Sequence, residues 1–368
     1  GYLTREQCDS IQQVPITLSY QVQDHNSGLA PYFRDMIRRD MTAKAPRRSD
    51  YQYAEDFSRD SLRWKEDPLY GWLNKNKKPD GSRYDLDRDG LRIYTTINAK
   101  MQKYAEEAAR KQMKQVQQNF NNHWSIRRTQ AGKGKWMGQE PWQDENHQVI
   151  PNFIQGIAER QPFYKDLVAR FPNNPDSVNY YYKEWVHPVK VFDYDKGSIT
   201  LNMTSEDSIK YMTTFMHCAF VAMEPQTGAV KAWVGDIDFD HWKYDKVTAE
   251  RQPGSTFKLF VYTEAMNQGL TPCDKRRDEY ISMEVYDKKK HEMTTWRPSN
   301  ANGSFSGDSI PLKSAFAKSI NSVAVRLGQE MGIKRIIETA KKMGINSPLD
   351  DTPSLALGSS DVNLLEMA

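Results

Sequence analysis

A serine and a lysine stand three residues apart at Ser255 and Lys258, inside the segment RQPGSTFKLF. Pro253-Gly254 indicates a loop, and the apolar spacing that follows predicts a helix over 256–268. Three residues are close to one helical turn, so both side chains lie on one face. A serine hydroxyl has a pKa far above 7 and needs a neighbouring base to act as a nucleophile. The spacing therefore predicts a serine nucleophile with a lysine base.

The predicted start of this helix suits Ser255 to acyl transfer. The positive end of the helix dipole favours a developing alkoxide. The first turn does not need the serine's own backbone N–H, which can face a developing oxyanion. A lysine in a partly dry pocket also loses its proton more easily. We predict that Ser255 attacks an acyl group and that Lys258 accepts its proton.

A second hydroxyl and an amide occur further along the chain at Ser319-Ile320-Asn321. They lie in a stretch that predicts a helix over 311–330, where they can face the same cleft. The hydroxyl of Ser319 can relay a proton, and Asn321 can hold a substrate amide. Ser177-Val178-Asn179 has the same form, but it precedes the nucleophile and lies in a polar segment predicted as a loop. We therefore exclude it.

The elements around these motifs follow from hydrophobic periodicity and turn signals. Residues 220–223 and 229–235 flank a Pro-Gly-containing turn and predict a hairpin. The run 91–97 alternates as a strand, and Asn98 can cap the helix after it. Other predicted elements are a helix over 1–13 with Thr4 as its cap, a strand at 16–22, a helix opening at Ala30 with Phe33, Met36 and Ile37 as its apolar side, strand runs at 186–194 and 198–202, a helix over 205–220, and a helix over 333–343. On the helix after Asn98 we predict Met101, Tyr104, Ala105 and Ala108 as the apolar face.

Residues 115–155 are rich in Gln, Asn and Lys, with Trp124, Trp136 and Trp142 spaced through them. Tryptophans can stack on sugar rings, but they also pack the interior of irregular segments. We favour packing here.

Composition excludes several classes of protein. The 368 residues carry a net charge of +3, and basic residues are interleaved with acidic ones, so no nucleic-acid surface is expected. The three cysteines, at 8, 218 and 273, are too few for a disulfide scaffold, and no spacing predicts a metal site. No run approaches the ~20 apolar residues of a membrane helix.

The two motifs and their surroundings resemble the class A high-molecular-weight penicillin-binding proteins, the bifunctional peptidoglycan synthases. The similarity rests on these segments: RQPGSTFKLFVY, Ser-x-Asn at 319–321, FVAMEPQTGAVKAWVG before the nucleophile, Trp296-Arg297-Pro298-Ser299-Asn300, LRIYTTINAKMQKYAEEA and PSLALGS at 353–359. The resemblance implies an α+β fold of the penicillin-binding transpeptidase and serine β-lactamase type, with an antiparallel sheet and helices, incomplete here.

The resemblance also implies a domain organisation. Residues 1–89 resemble a linker region following a glycosyltransferase module, and 90–368 resemble the transpeptidase domain with an insertion at about 115–200. The third motif of the family, Lys-Thr-Gly, does not occur, and we expect the chain to stop before it. Gly235-Asp236 replaces a pair that is often Gly-Gly in relatives, which we interpret as a loop change.

The implied function is D,D-transpeptidation of peptidoglycan stem peptides that end in D-Ala-D-Ala. Ser255 would form the acyl-enzyme, Lys258 would be the base and Ser319 would relay a proton. Asn321 would hold a substrate amide and help orient Lys258. β-Lactams are implied inhibitors, cell-wall assembly proteins are candidate partners, and no metal, cofactor or nucleic acid is implied. The implied location is the outer face of the bacterial cytoplasmic membrane. The alternatives are a D,D-carboxypeptidase or β-lactamase-type hydrolase, and a non-catalytic penicillin sensor or scaffold.

Overall fold

The computed structural model describes residues 4–12, 28–127, 135–144, 146–287 and 291–368, in which helices alternate with antiparallel strand pairs. The α-helices are α1 (Arg5–Gln12), α2 (Pro31–Thr42), α3 (Ala54–Glu66), α4 (Trp72–Lys75), α5 (Ala99–His123), α6 (Phe153–Ala158), α7 (Pro162–Arg170), α8 (Pro175–Asn179), α9 (Ser205–Thr213), α10 (Lys258–Asn267), α11 (Leu312–Ala317), α12 (Asn321–Met331), α13 (Ile333–Lys342) and α14 (Leu364–Met367). The strands are β1 (His187–Asp193), β2 (Gly197–Met203), β3 (Phe220–Glu224), β4 (Ala229–Val234), β5 (Lys275–Arg277), β6 (Met283–Asp287), β7 (Glu292–Trp296) and β8 (Ser309–Pro311). Short 3₁₀ turns at Arg48–Asp50, Gly254–Phe257 and Pro353–Leu357 and a π turn at Tyr180–Glu184 complete the set.

The strands pair antiparallel in twos, as β1–β2, β3–β4, β5–β8 and β6–β7. The predicted hairpin is β3–β4, with a register shift between Ala222 and Met223. Its turn closes with the Gly228 N–H donating to the Glu224 carbonyl at 2.8 Å, and Gly228 has φ +69°, which favours glycine. The predicted α+β class, with antiparallel strands and helices, is confirmed.

The largest core lies under α10, α12 and α13. The stripe predicted for the nucleophile helix is buried, because α10 packs against both other helices. Its members are Phe257, Phe260, Val261 and Ala265. Gly269, Gly332 and Gly344 have positive φ at helix ends, as their positions in the sequence predict.

Helix α5 buries a different face from the one predicted. Met101 is 43% and Tyr104 57% exposed, whereas Gln102 is fully buried. The Gln102 amide donates to the Trp233 carbonyl at 2.7 Å and accepts from the Trp233 N–H at 2.6 Å. Gln117 makes the same kind of pair with the backbone of residues 214 and 216. The need to pair buried backbone groups, rather than apolar area, sets the orientation of this helix.

The predicted strand at 91–97 is wrong, since the segment forms no strand ladder with any described residue. Only its end meets β4, through the Thr96 hydroxyl to the Val230 carbonyl and the Asn98 N–H to the Lys231 carbonyl. The next position of β4, Trp233, is already bonded to Gln102. A glutamine side chain thus occupies the edge that a strand would need.

The helix predicted over 205–220 ends at Thr213. The Thr214 hydroxyl bonds back to the carbonyls of Lys210 and Tyr211 at 3.1 and 3.0 Å, and Phe215 turns into the core. Side-chain competition of this kind favours helix termination.

The tryptophans between residues 115 and 155 pack against each other, as predicted. Trp136 and Trp142 are 8% and 7% exposed, and Trp142 stacks on Phe153 at a centroid distance of 5.8 Å. The segment 177–179, predicted as a loop, is instead the end of α8, capped by the Asn174 side chain.

Asp236 is more than a loop change. Its side chain is buried, and its carboxylate accepts hydrogen bonds from His217, at 3.0 Å, and from Lys246. The Ile237 N–H also donates to it at 2.8 Å. A buried carboxylate is costly unless it is paired, and His217 and Lys246 provide that pairing for Asp236.

At the N-terminal end, the predicted helix lies among the described residues and the predicted strand does not. α1 begins one residue after Thr4, whose hydroxyl accepts from the Gln7 N–H. The predicted strand at 16–22 lies outside the described residues. Within the described ranges, no helix combines the length and apolarity needed to cross a bilayer.

Candidate active site

Ser255 lies in the 3₁₀ turn Gly254–Phe257, directly before α10 rather than in its first turn. The turn follows Pro253, and Gly254 has φ +56°. The Ser255 side chain is exposed, and its hydroxyl has no hydrogen-bond partner among the described residues. The predicted nucleophile is therefore open to solvent.

A second segment braces this turn from behind. Gly358 packs so closely that a Cβ on it would lie 2.2 Å from the Gly254 carbonyl oxygen. Arg251 and Val362 exchange backbone hydrogen bonds of 2.9 and 3.0 Å on the same side. The PSLALGS segment thus holds the backbone that carries the nucleophile.

Lys258 is 1% exposed, although it follows Ser255 by only three residues. Its amine donates to the Ser319 carbonyl at 2.8 Å, the Ser319 hydroxyl at 3.0 Å and the Asn321 Oδ1 at 2.6 Å. Burial lowers the pKa of Lys258 to about 8, because desolvation disfavours the charged amine. With a pKa of about 8, a minority of this lysine, on the order of a fifth, is neutral near physiological pH.

The helix predicted over 311–330 is broken in the middle. α11 ends at Ala317 and α12 begins at Asn321, with Ser319 in the left-handed region at φ +54°. The break turns both the carbonyl and the hydroxyl of Ser319 toward Lys258. A continuous helix would have tied that carbonyl to its own backbone, so the break creates the lysine site.

Asn321 is fixed on both sides of its amide. Its Oδ1 accepts from Lys258, and its Nδ2 donates to the Ser299 carbonyl at 2.8 Å. The predicted orienting role of Asn321 toward Lys258 thus has a direct contact behind it. One amide proton stays available for a substrate.

The partners of Lys258 determine what the neutral amine can do. A neutral amine has two N–H donors and one lone pair. The Ser319 carbonyl and the Asn321 Oδ1 can only accept, so they take the two donors. Of these three partners, only the Ser319 hydroxyl can donate to the lone pair. The geometry therefore defines a proton path between Lys258 and Ser319.

Two residues of this network escaped the sequence reasoning. Asn300, noted only as part of the Trp-x-Pro-x-Asn segment, accepts from the backbone N–H groups of Asn321 and Ser322. Asp278 was not considered, yet it is 5% exposed and binds Asn300 at 2.7 Å. A lone aspartate after three basic residues carries no pattern that predicts burial.

Two family models match the chain. The penicillin-binding protein transpeptidase domain matches residues 218–358, and the penicillin-binding protein middle domain matches residues 137–216. The second match covers much of the segment predicted as an insertion at 115–200.

Relatives are similar over most of the chain. Penicillin-binding protein 1A of Rickettsia typhi is 30% identical over 307 residues, which are 77% of this chain and 36% of that protein. Penicillin-binding protein 2D of Bacillus subtilis is 38% identical over 149 residues, 40% of this chain and 21% of that protein. The chain thus spans about a third of the length of the Rickettsia relative. The crystal structure of penicillin-binding protein 1A from Haemophilus influenzae has a TM-score of 0.52 and 19% identity, and covers 100% of this chain and 48% of that one.

Proposed function

Because this chain belongs to the penicillin-binding protein family, we propose that it is a peptidoglycan D,D-transpeptidase acting through an acyl-serine. The observation that carries the proposal is the buried Lys258 amine, bonded to Ser319 and Asn321 and one turn from the exposed Ser255. This arrangement supplies a nucleophile, a base that is partly neutral and a proton relay.

Acylation proceeds in two bond changes. The Ser255 oxygen attacks the carbonyl carbon between the two D-alanines, and its proton passes to the neutral Lys258. The C–N bond then breaks, and the leaving amine of D-Ala takes a proton through the Ser319 hydroxyl, which Lys258 replenishes. Ser255 is left as an ester of the stem peptide.

Transfer completes the reaction. An amine from a neighbouring stem peptide attacks the ester, loses a proton to the same Lys258 and Ser319 pair, and forms the cross-link. The Ser255 oxygen regains a proton and leaves. A β-lactam would acylate Ser255 in the same way, but its opened ring stays attached to the acyl group.

The wider setting of the reaction follows from the family. We place the site on the outer face of the bacterial cytoplasmic membrane, in a longer bifunctional protein that also carries a glycosyltransferase module. Its partners would be stem peptides and cell-wall assembly proteins. The domain assignment to residues 1–89 and 90–368, with an insertion at 115–200, belongs to the same proposal.

The proposal is tested by treating the natural full-length protein with excess benzylpenicillin and locating the adduct by intact and peptide mass spectrometry. We expect one adduct, on the peptide carrying Ser255, which is lost in Ser255→Ala. Thr256→Ala is a matched control, because Thr256 is also exposed in the same turn and its hydroxyl bonds to the Pro253 carbonyl rather than to Lys258, Ser319 or Asn321.

Transfer and hydrolysis are then separated with a stem peptide and an acceptor amine. A product in which the stem peptide is joined to the acceptor amine supports the transpeptidase. Release of only the stem peptide shortened by one D-Ala would identify a carboxypeptidase or β-lactamase-type hydrolase. Stable acylation with neither product would indicate a penicillin sensor. A folded protein without any adduct would overturn the acyl-serine mechanism.

A further inference from the structure

Asp278 lies just after β5 and accepts four hydrogen bonds within a buried pocket. Its Oδ1 accepts from the Ser322 hydroxyl at 2.6 Å and from Asn300 Nδ2 at 2.7 Å. Its Oδ2 accepts from the Ser306 N–H at 2.9 Å and the Ser306 hydroxyl at 3.0 Å. The two oxygens thus face different parts of the molecule: Oδ1 faces α12, and Oδ2 faces the loop before β8.

The start of α12 depends on groups that are distant in the chain. Its own N-cap residue, Ile320, has no side-chain oxygen and makes no cap. Asn300 supplies the missing acceptor, since its Oδ1 takes the N–H groups of Asn321 and Ser322 at 3.0 and 3.2 Å. An amide from another segment thus satisfies two donors that a helix start leaves open.

Asp278 decides how the Asn300 amide points. An asparagine side chain can sit with its oxygen and nitrogen exchanged, and only its partners select one orientation. The Asp278 carboxylate accepts from Nδ2 and so directs Oδ1 of Asn300 at α12. A carboxylate beneath the start of a helix is also favourable toward its dipole.

The first residue of α12 is Asn321, which holds Lys258. Burial alone would raise the pKa of Asp278, but hydrogen bonds from Ser322, Ser306 and Asn300 outweigh burial and lower it. Asp278 therefore stays a carboxylate and keeps all four donors through the working pH range. Two routes connect it to Asn321, one through Asn300 and one through the neighbouring Ser322.

We propose that Asp278 is a positioning residue for acylation: it fixes the start of α12, and with it the Asn321 oxygen that holds Lys258 against Ser319. This role rests on the proposed function, because it matters only if Lys258 acts as a base. Asp278 itself does not touch the proposed nucleophile, base or relay among its described contacts.

The test measures acylation of the natural full-length protein by a fluorescent penicillin over a range of concentrations and separates maximal rate from half-saturation. In Asp278→Ala we expect the maximal rate to fall about 10- to 100-fold, with half-saturation changed by less than about threefold. A residue that only supports folding would leave the maximal rate per folded molecule unchanged.

Two further variants use the asymmetry of the carboxylate. Asp278→Asn keeps an oxygen for Ser322 and Asn300 but turns an amide NH₂ donor toward the Ser306 N–H. Because the contacts toward α12 are kept, we expect the rate to stay within about fivefold of wild type. Ser306→Ala removes the hydroxyl that donates to Oδ2 and that accepts from the Asp308 N–H at 3.3 Å, but it leaves both Oδ1 partners in place. It serves as the matched control, and we expect its rate within about twofold of wild type.

The route through Asn300 is tested by a double-mutant cycle. Asn300→Ala should slow acylation as Asp278→Ala does, and the double variant should be no slower than about twofold below either single variant. If Asp278→Ala does not fold, the acylation rates of Asn300→Ala and Asp278→Asn test the positioning role instead.

Outcomes distinguish this inference from the proposed function. A wild-type protein that is never acylated overturns both. A wild type that is acylated, with Asp278→Ala or Asn300→Ala as fast as Ser306→Ala, overturns the positioning role alone. Additive losses in the double variant would overturn the route through Asn300.

Discussion

At the scale of single residues, the placement of the Lys258 amine is what suits it to the proposed role of base. Its three partners are neutral, so burial acts on the amine without a carboxylate bonded to it to restore the charge. The same lysine on a solvated helix face would be protonated at neutral pH and useless as a base.

This placement predicts the pH dependence of acylation. Only the neutral amine can accept the Ser255 proton, and the pKa of Lys258 is about 8. The maximal acylation rate should rise about tenfold per pH unit below that value and level off above it. Penicillin acylation measured from about pH 6 to pH 10 checks the profile, with the exposed Lys313→Arg as a control for general charge effects. A flat profile through pH 8 would exclude Lys258 as the base.

Gly358 provides a second prediction at this scale. Gly358→Ala should lower stability by about 1–2 kcal/mol for the positive φ alone and should also push the Gly254 backbone away. Gly228 has a similar φ, +69° against +76°, but open space around it, so Gly228→Ala bears the conformational cost without the contact. Urea midpoints and acylation rates separate the two. We expect both variants to lose stability and only Gly358→Ala to acylate slowly; equal rates would contradict the bracing role.

At the scale of elements, the sequence predicts most strongly what depends on local pattern. The β3–β4 hairpin and the buried stripe of α10 follow from alternation, a turn and helical spacing. The break between α11 and α12 does not follow, because residues 311–330 are periodic throughout and no glycine or proline marks Ser319. What stabilises the break is Asn300, a contact between distant segments that a single sequence does not display.

Glutamines on α5 illustrate the same limit. Apolar spacing favoured the face with Met101 and Tyr104, while the structure buries Gln102 to pair with Trp233. The deciding quantity is the free energy of leaving a backbone N–H and carbonyl unpaired in the interior. The two backbone groups lie on β4, so the sequence of α5 alone does not reveal this cost.

Removal of the Gln102 amide should therefore be costly. Gln102→Leu leaves the N–H and carbonyl of Trp233 without this partner, and we expect a loss of about 2–4 kcal/mol in the free energy of unfolding. Gln115→Leu, on the exposed side of the same helix, should change it by less than about 0.5 kcal/mol. Urea denaturation followed by tryptophan fluorescence measures both; equal losses would mean that the pairing has no special weight.

At the scale of the whole molecule, the low pKa that suits Lys258 to the proposed role of base also lowers the free energy of unfolding. Its pKa is about 8 in the folded protein and 10.5 as the ordinary value. Between these values the unfolded state binds more protons, so the unfolding free energy rises with pH. The cost of burying the charge is thus fully present below about pH 8 and disappears above about pH 10.5.

Comparison of wild type with Lys258→Met isolates this cost. The variant lacks this titrating group, and the other titrating groups contribute equally to both proteins. Its free energy of unfolding relative to wild type should therefore fall by about 3 kcal/mol as pH rises from about 7 to about 10.5. Chemical denaturation at several pH values measures the difference. A difference that does not change with pH would show that folding does not lower the pKa of Lys258.

The brace behind the nucleophile turn also has a consequence in time. Ser255 and Lys258 leave the ribosome before the segment that holds the turn they lie on. Gly358 and Val362 follow about a hundred residues later, at ~5–20 residues per second. A growing chain therefore carries Ser255 and Lys258 for seconds before Gly358 and Val362 are in place to hold the turn. On the proposed function, Ser255 therefore gains a fixed position for acylation only after the segment carrying Gly358 and Val362 has docked behind its turn.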